Sequence, residues 1–251
     1  MVRVKGRRKA PSLRKNRHAS RRRPNNKVIP GEVGSAGDSH LFQTSDTQSN
    51  LIRTARSLFS KKGFDGVSVK DVADTAKLNI SLISYHFNGK EGLYKACLED
   101  FGKECLESVR RVLKPSKTFE ECEWRLSMFI DVMLEIFVKQ PDASRMVFRE
   151  CDIDGPIFQD MFQTSFLEIF KSLISFFEEG QKAGLITKKF DPHSVSSIFF
   201  GALSHFARMD QISEKYFGRT IKNSQDREKA SFHLKEIFAK NLAAKVEMPG
   251  S

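Results

Sequence analysis

Residues 68–93 read SVKDVADTAKLNISLISYHFNGKEGL, and this stretch decides the fold of the chain. Ser68 and Asp71 have the S-x-x-D spacing of a capping box, which predicts that a short helix begins there. Asn79 can cap a second short helix, which is expected to run to about Phe87. Two short helices joined by a tight turn are typical of a helix-turn-helix unit.

Helical patterning continues on both sides of this unit. Apolar residues at intervals of three and four predict one helix that ends near Lys62 and a long helix between Asn88 and Pro115. Caps and prolines then divide the remaining chain into about five helices, near residues 119–140, 142–151, 156–183, 191–212 and 225–245. Because no period-two alternation is sustained, the sequence predicts an all-α fold of about nine helices.

The positive charge of the chain is concentrated at its N-terminal end. The 251 residues have a net charge of +11, and residues 1–45 alone contain twelve basic and two acidic side chains. That segment has almost no large apolar side chains, so we predict that it is disordered. Three interpretations stay open for it: an arm that adds affinity for nucleic acid, a solvated tail without a role, or residues upstream of the true translation start.

Several classes of protein are excluded by the sequence. No segment approaches the roughly 18 uninterrupted apolar residues of a membrane-spanning helix, and the N-terminus lacks the apolar part of a secretory signal. We therefore expect a cytoplasmic chain without a membrane partner. Cys97, Cys105, Cys122 and Cys151 stand singly, without metal or redox spacing, so neither a metal nor a cofactor is expected. No nucleophile elbow, phosphate loop or catalytic carboxylate pair indicates an enzyme.

A longer stretch around the two short helices carries a family resemblance. Residues 51–98 contain A-x-x-L-F-x-x-x-G-F, S-V-x-D-V-A, Y-H-F and G-K-E-G-L-Y, in that order. They resemble the DNA-binding domain of the tetracycline-repressor (TetR) family of bacterial transcriptional regulators. The resemblance implies a helix-turn-helix domain over residues 46–92 and a helical effector-binding and dimerisation domain over residues 93–251.

The resemblance also implies a function. It predicts a sequence-specific, DNA-binding transcriptional regulator, namely a repressor that a small, largely apolar effector releases from DNA. The alternative from another class is a general nucleic-acid packaging protein, whose affinity would come from the basic N-terminal tail.

By the same resemblance, the helix after Asn79 enters the major groove of DNA. Ile80, Ser81 and Leu82 should face base edges, because serine can exchange a hydrogen bond with a base and leucine can pack on a thymine methyl. Ile83 and Phe87 should belong to the core. The full set expected against DNA is Ser68, Lys70, Asn79, Ile80, Ser81, Leu82, Ser84, Tyr85, His86 and Lys90.

Two residues depart from the family pattern. Lys77 stands in the turn where the family commonly has glycine, and Ser84 replaces a frequent tyrosine. The apolar Ile80 and Leu82 leave few strong base-reading groups on the second helix. Recognition of DNA is therefore expected to depend on thymine methyls and on DNA shape.

The C-terminal half is rich in phenylalanine, which is usual for a helical core. In a family with an effector pocket in this half, some of the apolar side chains are expected to line that pocket. The candidates are Trp124, Met128, Phe129, Met133, Met146, Phe162, Phe166 and Phe170.

The last two predicted helices carry broad apolar faces. A single chain could bury these faces internally, whereas the resemblance favours pairing with a second copy. The expected contact residues are Val195, Ile198, Phe199, Ala202, Phe206, Leu234, Ile237, Phe238 and Leu242. A homodimer would place two recognition helices on successive major grooves of a palindromic operator.

Overall fold

The computed structural model describes residues 36–153, 159 and 162–242, and this part of the chain is helical. The N-terminal helices are α1 (Ala36–Lys62), α2 (Val69–Ala76), α3 (Ser81–Phe87) and α4 (Lys90–Val112). The C-terminal helices are α5 (Phe119–Lys139), α6 (Pro141–Ile153), α7 (Leu167–Lys182), α8 (Pro192–Phe217) and α9 (Ser224–Leu234). A π-helical turn (Phe162–Phe166) precedes α7, and a second one (Lys235–Ala239) with a 3-10 turn (Lys240–Leu242) follows α9. The predicted all-α class is confirmed.

Some helix boundaries differ from the predicted ones. α1 begins at Ala36, inside the segment that was expected to be disordered through residue 45. Residues 1–35 lie outside the described part, so the prediction for them stays a prediction. α8 continues past residue 212 to Phe217, where Gly218 takes the left-handed conformation (φ 65°) that ends helices. The regular helix predicted for residues 225–245 ends at Leu234, because a π-helical turn follows it.

The N-terminal helices share one core with the start of α4. Phe59 of α1 is completely buried, and its ring meets the ring of Tyr94 edge-on at 4.9 Å. Phe64 also meets the ring of Tyr94, at 5.0 Å, and lies 6.2 Å from the ring of Phe59. Ile83 and Phe87 of α3 are also buried here, as predicted from their spacing of four. α3 is thereby fixed through one side, and its other side faces outward.

The core of the C-terminal helices is built around Phe199 of α8, which is completely buried. Its ring lies 5.7 Å from that of Phe129, 6.5 Å from that of Phe177 and 4.9 Å from that of Phe238. These contacts join α5, α7, α8 and the turn after α9. Close packing of this kind leaves no surface of Phe199 for another molecule.

This packing corrects part of the predicted dimer contact. Phe199, Leu234, Phe238 and Leu242 are buried within the single chain, so a second copy cannot pack against them. The apolar face that the sequence shows on α8 and α9 is divided between the core and the surface. Ile198 and Ile237 are on the surface side, where they are 64% and 60% exposed.

α6 connects the N-terminal helices to the rest of the molecule. Arg149 donates hydrogen bonds from its two terminal nitrogens to the carbonyl oxygens of Phe59 (2.9 Å) and Ser60 (2.8 Å), in the last turns of α1. A cation at this end of a helix interacts favourably with the helix dipole. The next residue, Glu150, is buried and accepts a hydrogen bond of 2.5 Å from the hydroxyl of Tyr94 in α4. Two neighbouring residues of α6 therefore hold α1 and α4.

Candidate nucleic-acid interface

The capping box at the start of α2 is present as predicted. The hydroxyl oxygen of Ser68 accepts from the backbone N–H of Asp71 (3.1 Å), and the carboxylate of Asp71 accepts from the N–H of Ser68 (2.8 Å). The hydrogen bond from the Ser68 N–H, together with one from the Ser68 hydroxyl, holds the pKa of Asp71 below its ordinary value. The Ser68 hydroxyl also donates to Asp71 at 2.7 Å. Its hydrogen is thus used inside the cap, which leaves the exposed Lys70 as the better phosphate-binding candidate at this helix start.

The turn between α2 and α3 depends on Lys77. This residue has the left-handed conformation (φ 57°, ψ 41°), and its N–H donates to the carbonyls that end α2. Glycine is favoured at such a position, because a side chain there costs roughly 1–2 kcal/mol. The turn accepts the lysine and leaves it exposed beside the predicted DNA-facing residues. Lys77 is thus a further phosphate-binding candidate.

α3 contains no lysine, arginine, aspartate or glutamate. Tyr85 is 79% exposed and Ile80, directly before the helix, is 45% exposed. Ser81 and Ser84 are also exposed, whereas Leu82 is half-buried and packs partly on the core. The ring of His86 is half-buried and meets that of Tyr85 at 4.8 Å. The structure therefore brings the predicted residues of α3 to one surface.

Asn79 caps α3, as the sequence predicts. Its side-chain oxygen accepts from the N–H of Ser81 (2.9 Å) and from the Ser81 hydroxyl (2.8 Å). This satisfies an amide that the helix itself leaves without a partner.

The start of α4 completes the surface. Asn88 and Gly89 both have positive φ, of 57° and 104°, so the chain reverses sharply after α3. Gly92 allows this close approach, because a Cβ there would lie 1.7 Å from the carbonyl oxygen of Phe87. The ammonium of Lys90 lies 4.3 Å from the centre of the Phe64 ring, a cation–π contact that holds the lysine beside α3.

Comparison with known proteins identifies this arrangement. Residues 51–97, which contain α2, α3 and the start of α4, match the family described as bacterial regulatory proteins, tetR family. Over these residues the chain is similar to the TetR family. The Probable HTH-type transcriptional regulator YttP of Bacillus subtilis (strain 168) is 30% identical over 139 residues, which cover 54% of this chain and 65% of YttP. The HTH-type transcriptional regulator RutR of Escherichia coli (strain K12) is 23% identical over 176 residues, covering 69% of this chain and 79% of RutR.

A solved structure shows the same fold. The ketosteroid transcriptional regulator KstR2 of Mycobacterium tuberculosis superposes with a TM-score of 0.61, covering 78% of this chain and 94% of KstR2 at 15% sequence identity. The predicted TetR architecture, a helix-turn-helix domain followed by a C-terminal helical domain, is confirmed. Because the relatives are transcriptional regulators, the packaging alternative is not favoured.

The effector-pocket residues expected from the TetR resemblance do not share one environment. Trp124 is 58% exposed on α5, which argues against a place in a pocket. Phe129, Met133 and Met146 are buried in the core, and the side chain of Phe162 lies outside the described part. The remaining three are half-buried, namely Met128, Phe166 and Phe170.

Two of these half-buried residues contact rings on other helices. Phe166 stacks on Phe101 of α4 at 6.4 Å, and Phe170 meets His193 and Phe200 of α8 at 5.5 and 6.4 Å. An apolar cavity of about 220 Å³ lies elsewhere, between α8 and the turn after α9. It is lined by Phe190, Val195, Ile198, Ile237, Phe238 and Leu242, together with three polar residues, and by none of the predicted pocket residues.

Other kinds of site find little support in residues 36–153 and 162–242. Among these residues no three histidine, cysteine, aspartate or glutamate side chains form a group that could hold a metal ion. None of the helices in the same ranges has the length and apolar character needed to cross a bilayer. Burial raises the pKa of the Cys97 and Cys105 thiols to about 12, so both are protonated at neutral pH. Cys151 is exposed.

Proposed function

We propose that this chain is a sequence-specific transcriptional regulator that reads double-stranded DNA with α3. This proposal rests on the observation that α3 has one buried side and one exposed side. Ile83 and Phe87 anchor it in the core, while Ile80, Ser81 and Tyr85 face outward. A short, rigidly held helix with exposed side chains suits insertion into the major groove.

Phosphate contacts would position this helix on the duplex. Lys70 at the start of α2, Lys77 in the turn and Lys90 at the start of α4 flank α3 in the sequence. Two of these lysines are exposed and Lys90 is half-exposed, so each can approach a phosphate. Such contacts set orientation and contribute affinity without distinguishing sequences.

We propose a homodimer that forms through the exposed side of α8 and through Ile237. Ile198, His205, Ile212 and Tyr216 recur along one side of α8 at helical spacing, and all four are exposed. The exposed hydrophobic side chains in this row, Ile198, Ile212 and Tyr216, form a surface typical of protein contacts. A two-fold contact uses the same surface of both copies and would present two α3 helices to a palindrome.

The regulator is proposed to be a repressor released by a small, largely apolar effector. Its C-terminal helices are lined with phenylalanine, and Phe166 and Phe170 are half-buried beside α4 and α8. Arg149 and Glu150 attach α6 to α1 and α4. An effector that binds one arrangement of these helices more tightly would shift the position of the DNA-binding helices.

The experiment that tests this function is an unbiased selection of bound duplexes by the full chain at moderate salt. A palindromic sequence is expected to be enriched. A variant without residues 1–35 serves as the control, because it should enrich the same sequence and lose only salt-sensitive, sequence-independent affinity. The proposal fails if no sequence is preferred, and loss of nearly all affinity on removal of the tail would instead support a packaging protein.

A further inference from the structure

The hydroxyl of Ser81 has only one way left to contact a base. Its hydrogen is donated to the side-chain oxygen of Asn79 at 2.8 Å. A carboxamide oxygen can only accept, so the direction of this hydrogen bond is fixed. The lone pairs of Ser81 remain, and they can only accept. In the major groove, the base donors are the N6 amino group of adenine and the N4 amino group of cytosine.

The neighbouring residue offers an apolar contact. Ile80 is 45% exposed directly before α3, whereas Leu82 packs partly on the core. The apolar group that a major groove presents is the 5-methyl of thymine. Ile80 is therefore better placed than Leu82 to contact that methyl group, contrary to the role that the sequence suggested for Leu82.

α3 and the two residues before it carry no strong guanine-reading group. Guanine is usually read by arginine or lysine, which donate to its O6 and N7 atoms. Residues 79–87, NISLISYHF, contain neither. The Asn79 side chain, which could read adenine, is engaged through its oxygen in the cap. An A·T pair presents both a thymine methyl and an amino group that can donate in the major groove. A G·C pair presents such an amino group but no methyl.

We propose that the centre of each half-site consists of A·T pairs, with a thymine methyl against Ile80 and an adenine N6 amino group donating to Ser81. This inference rests on the proposed function, since it requires α3 to lie in the major groove. It adds the chemical identity of the bases and the residue that recognises each of them.

The first step of the test is the duplex selection with the full chain. The selected half-sites should have A·T pairs at their centre. Failure to select any sequence would contradict the proposed function itself. Selection of half-sites with G·C pairs at the centre would overturn this inference alone and would indicate that Ser81 accepts from cytosine.

The second step replaces single bases in the selected duplex. Deoxyuridine in place of thymine removes only the methyl group, and 2-aminopurine in place of adenine moves the amino group to the minor groove. Each replacement at a contacted position should weaken binding by about threefold to tenfold, as expected for one buried methyl or one hydrogen bond. Unchanged affinity for every deoxyuridine duplex would overturn the inference.

Variants assign each contact to a residue. Ile80→Ala should bind the thymine duplex more weakly and lose its sensitivity to deoxyuridine, while Ser81→Ala should lose its sensitivity to 2-aminopurine. Lys103→Ala, an exposed residue of α4 outside the predicted DNA-binding set, is the control and should keep both sensitivities. An Ile80→Ala protein that melts like the parent and still distinguishes thymine from deoxyuridine would refute the role of Ile80.

Discussion

The spacing of apolar residues predicts burial more reliably in the DNA-binding helices than in the C-terminal helices. In α3, Ile83 and Phe87 are buried and the residues between them are largely exposed. The spacing of four therefore predicts correctly which side of this helix is buried. In α8, Phe199 is buried while the adjacent Ile198 is 64% exposed, although both were predicted to contact a second copy. An apolar residue in a helix therefore indicates a packing contact, but not whether the contact is made within the same chain or with a second copy.

The largest effects on stability and dimerisation are expected from substituting Phe199 and Ile198, and these variants test the contrast. Phe199→Ala should lower the free energy of unfolding by about 3–5 kcal/mol, because it leaves a cavity among three aromatic rings. Ile198→Ala should change the stability of a single chain by less than about 1 kcal/mol and should weaken dimerisation. Urea unfolding and sedimentation at several protein concentrations would measure the two effects.

A similar loss of stability in both variants, with no change in association, would contradict the assignment of Ile198 to the surface contact. A concentration-dependent effect of Phe199→Ala alone would contradict its place in the core.

The junction between the two regions provides a second test. Tyr94→Phe should lower stability by about 1–3 kcal/mol, because it leaves the buried carboxylate of Glu150 without its hydrogen-bond donor. Glu150→Gln keeps an oxygen that can accept from Tyr94, so its loss should be smaller. Chemical unfolding of both variants gives the comparison, and a larger loss for Glu150→Gln would argue against a role for this hydrogen bond.

Glycine substitutions in the turns on either side of α3 should stabilise the fold, unlike the substitutions above. Lys77→Gly is expected to stabilise the fold by up to about 1 kcal/mol, since glycine adopts positive φ without steric cost. Asn88→Gly, at the same φ of 57°, should give a smaller gain because asparagine tolerates this conformation. The midpoints of urea unfolding would show the order, and a destabilised Lys77→Gly would mean that the lysine side chain contributes more than its strain costs.

The smallest effect is expected from a single phosphate contact. Lys90→Ala should weaken binding to all sequences alike and reduce the slope of log affinity against log salt by about one. Lys103→Ala, an exposed lysine farther along α4, is the matched control and should leave the slope unchanged. Altered sequence preference in Lys90→Ala would show that this residue reads bases.

The sequence predicted the DNA-binding unit well because its signals are local. The capping box from Ser68 to Asp71 spans four residues, and Asn79 caps a helix that begins two residues later. Such interactions are encoded by neighbours in the chain, so residue types and spacing suffice to find them. The outward residues of α3 follow from the burial of Ile83 and Phe87.

The contacts that sequence analysis missed are distant in the chain. Arg149 reaches the carbonyl of Phe59, 90 residues earlier, and nothing in a helical pattern marks an arginine as a partner of backbone oxygens. The sequence also did not predict that Trp124 is exposed, because a large aromatic residue in an amphipathic helix is usually buried. Only the packing of whole helices decides these positions.

Arg149 and Glu150 are consecutive residues of α6, and this adjacency has a consequence for how the protein opens. A displacement of that turn breaks the hydrogen bonds to α1 and to α4 at the same time, so the two helices should lose protection together. In hydrogen–deuterium exchange, the amides at the end of α1 and at the start of α4 are expected to exchange in one cooperative event.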